Sequence, residues 1–489
     1  MADSYWYSRL VFERALALIY LIAFVCAANQ FVPLLGERGL LPVPRFVRAV
    51  PFRKAPSLFF LAPTDVAFRT AAWIGIVLSA VAITGFVDAR DALARAGVWA
   101  ALWLLYLSFV NVGWMFYAFG WETLLLETGF FTIFAGSAST QPSMWTIWIW
   151  RWILFRLMFG AGLSKLRGDP CWRNLTCLDR HFETQPIPNG LSWHFHWLPP
   201  IVHRAGVLFN HVAELAAPLA FFAPQPWAAA AGLVIVSFQL VLIASGNLSW
   251  LNWLTIVLAI PLFDDRWFGW LPLVAPAAPA EPSQHAMAIV VAALVGVLSI
   301  RPVLNMLSPN QVMIASFGPL HLVNTYGAFS SVTRERREIA IEGTADERLT
   351  ARTVWREYQF KGKPGDVSRR SPQIAPYHLR LDWLMWFAAQ ALPAHHPWFS
   401  ALLDKLLVGD QRTLRLLATN PFPDRPPQYV RAVLHEYRFT TREERRQTGA
   451  WWHREAIGLY VAPMSLPAPS DVVRGVRVQA DRQRIRPSV

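Results

Sequence analysis

The first 300 residues carry one apolar run after another, each about as long as a bilayer is thick and most of them free of charge. A spanning helix needs about 20 such residues, because every backbone N–H and C=O must be paired within the segment once water is excluded. Ala15 to Val32, Thr70 to Val87 and Gly97 to Trp121 meet that length, and Trp145 to Ser164 does so with Arg151 and Arg156 inside it. Leu215 to Phe263 holds no charge and is long enough that it must fold back on itself, with turns expected at Pro224-Gln225-Pro226 and Ser245-Gly246-Asn247. Ala286 to Ile300 closes the series, and Thr123 to Ala135 and Ser249 to Phe263 are short enough for half-spans. The expected fold class is therefore a polytopic α-helical membrane protein with about seven to nine spanning or half-spanning helices. The first run reads as an uncleaved span, since no small-residue cleavage site follows it.

Composition agrees: 54% hydrophobic and 16% charged residues exclude a wholly soluble chain, and 24 Trp and 32 Phe suit interfacial aromatic belts and packed helix faces. Three cysteines, Cys26, Cys171 and Cys177, leave room for at most one intrachain bridge. The net charge of +13 lies mostly in the second regime of the chain, where residues 301–489 hold 27 Lys and Arg against 17 Asp and Glu. Without a nucleic-acid-binding motif, that excess points to anionic headgroups of the lipid bilayer and excludes nucleic acid as a partner.

The polar part reads as an α+β domain outside the membrane. Arg337 to Glu342, Val354 to Phe360 and Val433 to Phe439 alternate with period two and read as strands, while Leu379 to Leu392 and Phe399 to Leu417 read as helices. The expected division is a membrane domain over 1–307, an α+β domain over 308–466, and a disordered basic tail over 467–489. Aromatic residues on or beside its strands, Trp355, Tyr358, Trp451 and Trp452, are candidates for a surface that docks an extended client peptide.

Ionisable groups within spans mark function more often than chance. Glu122 and Glu127 in GWETLLLETGF, Arg151 and Arg156 in WRWILFRLMFGAG, and His211 with Glu214 in NHVAEL form such a set, of which the first four are expected to face one polar cavity with Lys165 at its mouth. They pair to fix helix register, or they line a cavity for a substrate headgroup. A lysine ending an apolar helix can lose its proton to burial and serve as a base, or can snorkel to the headgroups. The loop from Arg167 to Arg204 is rich in His, but no metal-ligand spacing occurs, so neither a metal nor a cofactor is expected. Cys171 and Cys177 would close a small disulfide in an oxidising compartment.

The segments GWETLLLETGF, FRLMFGAGLSKLRGDPCWRNLTCLDRHFETQPIP, SGNLSWLNWLTIV, VNTYGAFSSVTRERREI, EYQFKGKPGD, PYHLRLDWLMWFAA and LLATNPF resemble, in order, the lipase maturation factor family from about Tyr5 to Leu466. The resemblance implies a non-enzymatic, membrane-anchored folding factor for secreted proteins, lipases among them, with its C-terminal domain on the exported side. Relatives in eukaryotes reside in the endoplasmic reticulum membrane. An Ala-, Arg- and Pro-heavy composition looks bacterial, which implies the plasma membrane instead. The Arg-rich stretch Arg38 to Lys54 points the other way, since the positive-inside rule would keep it cytoplasmic. A second resemblance, of FGAGLSKL and the following Trp172 to the vitamin K-dependent gamma-carboxylase group, implies an alternative: a membrane-embedded enzyme acting on a lipid, a quinone-like cofactor or a secreted protein, with Lys165 as its catalytic base.

Overall fold

The computed structural model describes residues 4–86, 92–276 and 278–466. The expected basic tail, 467–489, lies outside the described residues. Helices α1 (Trp6–Leu35), α2 (Asp65–Thr84), α3 (Ala92–Val112), α4 (Gly120–Thr132), α5 (Met144–Arg167), α6 (Pro200–His211), α7 (Trp227–Ser245), α8 (Leu251–Ala259), α9 (Pro282–Leu298) and α10 (Ile300–Leu307) build the first part. Among the described residues, α1, α2, α3, α7 and the pair α9–α10 are long and apolar enough to cross a membrane. Helix α5 matches them in length but carries its arginines inside, and α4 and α8 are the short segments. The protein is an integral membrane protein with several spans.

Local chemistry sets the ends. Thr64 caps α2 by accepting from Ala67 N, and Gly85 stops it at φ +81°. Ser143 caps α5 through Trp145 N. The two turns expected in the run from Leu215 hold, because α7 begins after Pro226 and stops at Ser245 before Gly246. The run expected to continue to Trp121 instead breaks after Val112. There Trp114 takes a positive φ of 46° and the Asn111 amide donates to the carbonyls of Pro56 and Pro319, which turns the chain into α4.

The N-terminal end of α1 and the C-terminal part lie at opposite ends of the bundle. Tyr7 N donates to Asp265 at one end (2.8 Å). At the other, Gln30 near the end of α1 donates to His378 O (2.6 Å), and Arg412 pairs with Asp65 at the start of α2 (2.6 Å). The Arg-rich stretch between α1 and α2 is thus flanked by two contacts to the C-terminal part and shares its side.

That part is an antiparallel sheet in the order β2-β1-β3-β4, from Arg356–Glu357, Arg336–Thr344, Tyr429–Phe439 and Trp452–Met464, with α11 (Arg380–Ala388) and α12 (Pro397–Leu407) inserted between its strands. The expected strand over Val354 to Phe360 divides: Tyr358 N donates to Ile341 O, and Gln359–Phe360 then leaves to pair with Leu417–Thr419. The helix expected to run to Leu417 stops at Leu407, because Gly409 takes a φ of +67°. Strand β4 carries no clear alternation, and three register shifts against β3 explain why its pattern is scrambled. One hydrophobic cluster runs without interruption from Phe12, Phe24 and Trp150 in the helices to Ile339, Ile341 and Leu402 in the sheet part, so the junction is an interior.

Candidate functional site

Helix α5 organises the junction. Its FGAG motif lets two other segments touch it: a Cβ on Gly160 would lie 2.6 Å from Tyr326 O, and one on Gly162 would lie 2.7 Å from Leu215. The first neighbour is a strap, residues 313–333, that crosses the bundle before the sheet begins. The strap's NTYGAF motif closes over Glu127. Asn324 N (3.0 Å), Asn324 Nδ2 (2.9 Å) and the Tyr326 hydroxyl (2.7 Å) all donate to one carboxylate oxygen, while Arg156 pairs with the other and also reaches Asn324 O (2.6 Å). Glu127 and Arg156 are buried and both carboxylate oxygens are bonded, the condition under which an ion pair is tolerated away from water.

Glu122, one turn and a half earlier on α4, takes its partner from the other domain. Arg380 at the start of α11 donates to it (2.7 Å) and to Phe116 O (2.7 Å), with the guanidinium 3.5 Å from the centre of the Tyr117 ring. The Tyr106 hydroxyl donates to the second oxygen. Beside them His378 sits edge-on among Phe119, Trp121, Trp250 and Trp383, and burial drives it well below the ordinary imidazole value. Arg151 meets no acid: it donates to Pro261 O, Phe221 O and the Tyr5 hydroxyl, where carbonyl oxygens stand in for a counter-ion.

Lys165 forms a third cluster. Its ammonium donates to Glu214 (2.5 Å) and Asn210 (2.8 Å), Asn210 returns a bond to Glu214 (3.0 Å), and Nζ lies 4.9 Å from the centre of the Trp172 ring. His211 points away, its Nε2 at 3.0 Å from Trp172 O. The set expected to share one cavity is therefore distributed over separate buried arrangements. The physical reason is that each charge found a complementary group within reach, several of them on segments distant in sequence: Arg380, Asn324, Tyr326 and, in a further pair with Glu13 of α1, Arg95. Lys165 faces a cavity, but from a closed triad.

The loop after α5 ties the strap and the sheet to the bundle. Asp169 N donates to Ser330 O, Trp172 Nε1 donates to Phe329 O, and Cys171 and Cys177 are joined in a disulfide with Cα atoms 4.8 Å apart. Further on, Arg336 of β1 donates to the carbonyls of Glu183, Gln185 and Pro186 and pairs with Glu338 (2.5 Å). Asn247, in the SGNLSW turn, accepts from Ile374 N and Ala375 N. The loop and the C-terminal part thus share one side of the bundle.

The aromatic set expected to be exposed is corrected in two places. Tyr358 and Trp452 are fully buried, Trp452 stacked on Phe439 at 4.1 Å, and so belong to the core. Trp355 and Trp451 are half-buried under arginines, Arg431 at 4.1 Å from the first ring and Arg445 at 3.4 Å from the second. The exposed apolar side chains near them are instead Val354 and, on β4, Ile457 and Leu459. Strand β4 is an edge, 13 residues long, with its outer backbone groups unpaired by any other strand among the described residues.

Residues 7–270 match the Lipase maturation factor transmembrane domain and residues 322–462 the Lipase maturation factor C-terminal domain. Lipase maturation factor 1 of Bos taurus is 42% identical over 95% of this chain and 90% of its own length. The Homo sapiens protein of that name is 41% identical over 95% and 88%. Lipase maturation factor 2 of Rattus norvegicus is 28% identical over 94% and 83%. No solved structure matches.

Proposed function

The chain belongs to the lipase maturation factor family, and on that premise we propose that it is a membrane-anchored maturation factor for secreted proteins, with lipases as its clients. The observation that carries the reading is the extent of the similarity: both domains match in order, over nearly the whole length of relatives named for lipase maturation. The C-terminal domain faces the exported side of the membrane, which in a bacterium is the outer face of the plasma membrane. Support comes from the disulfide, which a reducing cytoplasm would not preserve and which lies on the side of that domain. The Arg-rich stretch before α2 is then an exception to the positive-inside rule. The client docks as an added strand along β4, whose open edge is flanked by Ile457 and Leu459. The alternative, Lys165 as a catalytic base, requires a free amine, whereas its Nζ is engaged by both Glu214 and Asn210.

The test is replacement. The chain is expressed in cells lacking their own maturation factor together with a secreted lipase that depends on one, and lipase activity per unit of secreted lipase is measured. Restored specific activity is expected. No restoration, in cells where the bovine relative succeeds, would overturn the reading. The double change Ile457→Asp and Leu459→Asp should abolish restoration while leaving the membrane part folded, because it replaces the exposed apolar side chains that flank the edge with charges.

A further inference from the structure

Between α5, α6, α7 and α8 lies an inner chamber of about 120 Å³, and beyond it, under the strap, an outer one of about 360 Å³. They share a wall that includes Leu157, His181, Leu251 and Phe329. The lining is mostly apolar, yet three polar side chains, each more than nine-tenths buried, face it without adequate partners. Among the described residues, Asn252 finds no side-chain hydrogen-bond partner. Gln239 reaches only the Met158 sulfur, 3.9 Å away, and its oxygen accepts from nothing. His181 has neither ring nitrogen bonded, although it borders both chambers. Buried polar groups in native proteins are nearly always satisfied, so three facing one void mark a place where something else supplies the bonds.

The chemistry of that ligand is constrained on both counts. Lys165, Glu214 and Asn210 at the chamber's edge are already bonded to one another, so no cation is left to receive a carboxylate or phosphate, and an added charge would be buried unpaired. What remains free, two amides and an imidazole, donates and accepts but carries no charge. One wall of the inner chamber reaches the apolar outer surface of the helices. Val241 lines the inner chamber and is 45% exposed, next to exposed Leu240 and, on α6, Leu208. At the shared wall Phe329 is held at a φ of +55°, a conformation costly for a bulky residue, by Trp172 donating to its carbonyl. We propose that these chambers are a binding site for a neutral, single-chain amphipathic lipid, which enters from the bilayer and places an uncharged hydrogen-bonding head against Asn252, Gln239 and His181.

The full chain, reconstituted in nanodiscs of phosphatidylcholine, is photolabelled with a hexadecanol analogue carrying a diazirine in its chain. Competitors of equal chain length then isolate the head: 1-hexadecanol, palmitate and hexadecane. Labelled peptides from α7, α8 or the strap are expected, with 1-hexadecanol competing at least about ten-fold better than either of the others, the factor that one good hydrogen bond supplies. The double variant Q239L/N252L should lose labelling about ten-fold while melting no lower than the parent, because two unpaired amides become apolar. That pairing of readouts separates loss of the site from loss of the fold. Hexadecane competing as well as 1-hexadecanol, palmitate competing better, labelling unchanged in the double variant, or no saturable labelling because water alone fills the space would each overturn the proposal.

Discussion

The junction between the bundle and the C-terminal domain and the rim of the sheet are both held by arginine and carboxylate, and the two regions differ in everything that follows from burial. At the junction Glu122, Glu127, Arg156, Arg336 and Arg380 are cut off from water and reach backbone carbonyls, ring faces and amides besides their ionic partners. At the rim, Arg431 with Glu342 and Arg438 with Glu444 remain within reach of solvent. Removing one partner at the rim lets water replace it; removing one at the junction leaves a charge buried where nothing can. Two domains that look separable in composition are thus joined by contacts that cannot be opened without stranding charge.

The strongest way to break that contrast is Arg380→Met. It should lower stability by about 3–5 kcal/mol, because Glu122 then stays buried without its cation. The double change with Glu122→Gln should recover much of the loss. Thermal unfolding in detergent measures both, and a double variant no more stable than the single one would show that the pair is not what matters.

Acid gives a smaller effect at the same junction. Burial, with the charge of Lys165 nearby, lowers His181 from 6.5 to about 4. Between those two values the unfolded chain takes up a proton that the folded one refuses, so the contribution is fully present above pH 6.5 and fades as pH falls toward 4. At about 1.4 kcal/mol per unit, roughly 3 kcal/mol is at stake. His181→Gln should flatten the stability profile across that window. An unchanged slope would mean that another group governs it.

The smallest effect belongs to the rim. Arg431→Ala removes an ion pair with Glu342 and the cation over Trp355, and should cost about 0.5 kcal/mol. A loss as large as that of Arg380→Met would erase the distinction between the regions.

Much of this was legible in the residues because it depends on local pattern. Apolar length marks spans wherever they pack, Pro224-Gln225-Pro226 and Gly246 end helices by their own geometry, and the alternation over Arg337 to Glu342 reads as a strand before its neighbours are known. The partners were not legible. Nothing near Glu122 in sequence announces Arg380, and Asn324 and Tyr326 carry no sign that they will close over Glu127. Their motif, NTYGAF, stood out only through the family resemblance, which named no partner for it. Tyr358 and Trp452 read as exposed because strand aromatics serve surfaces and cores alike, and β4 lost its period to register shifts.

By itself, the sequence determined that the chain enters a membrane, where it turns, which charges must be neutralised and which family it belongs to. The tertiary structure alone decided which charge neutralises which, that the C-terminal domain completes the bundle rather than hanging from it, and that three polar side chains share one chamber. The physical reason is range: backbone pairing and hydrophobic length act between neighbours in the chain, whereas the desolvation of a charge is resolved by whatever group the fold brings within about 3 Å.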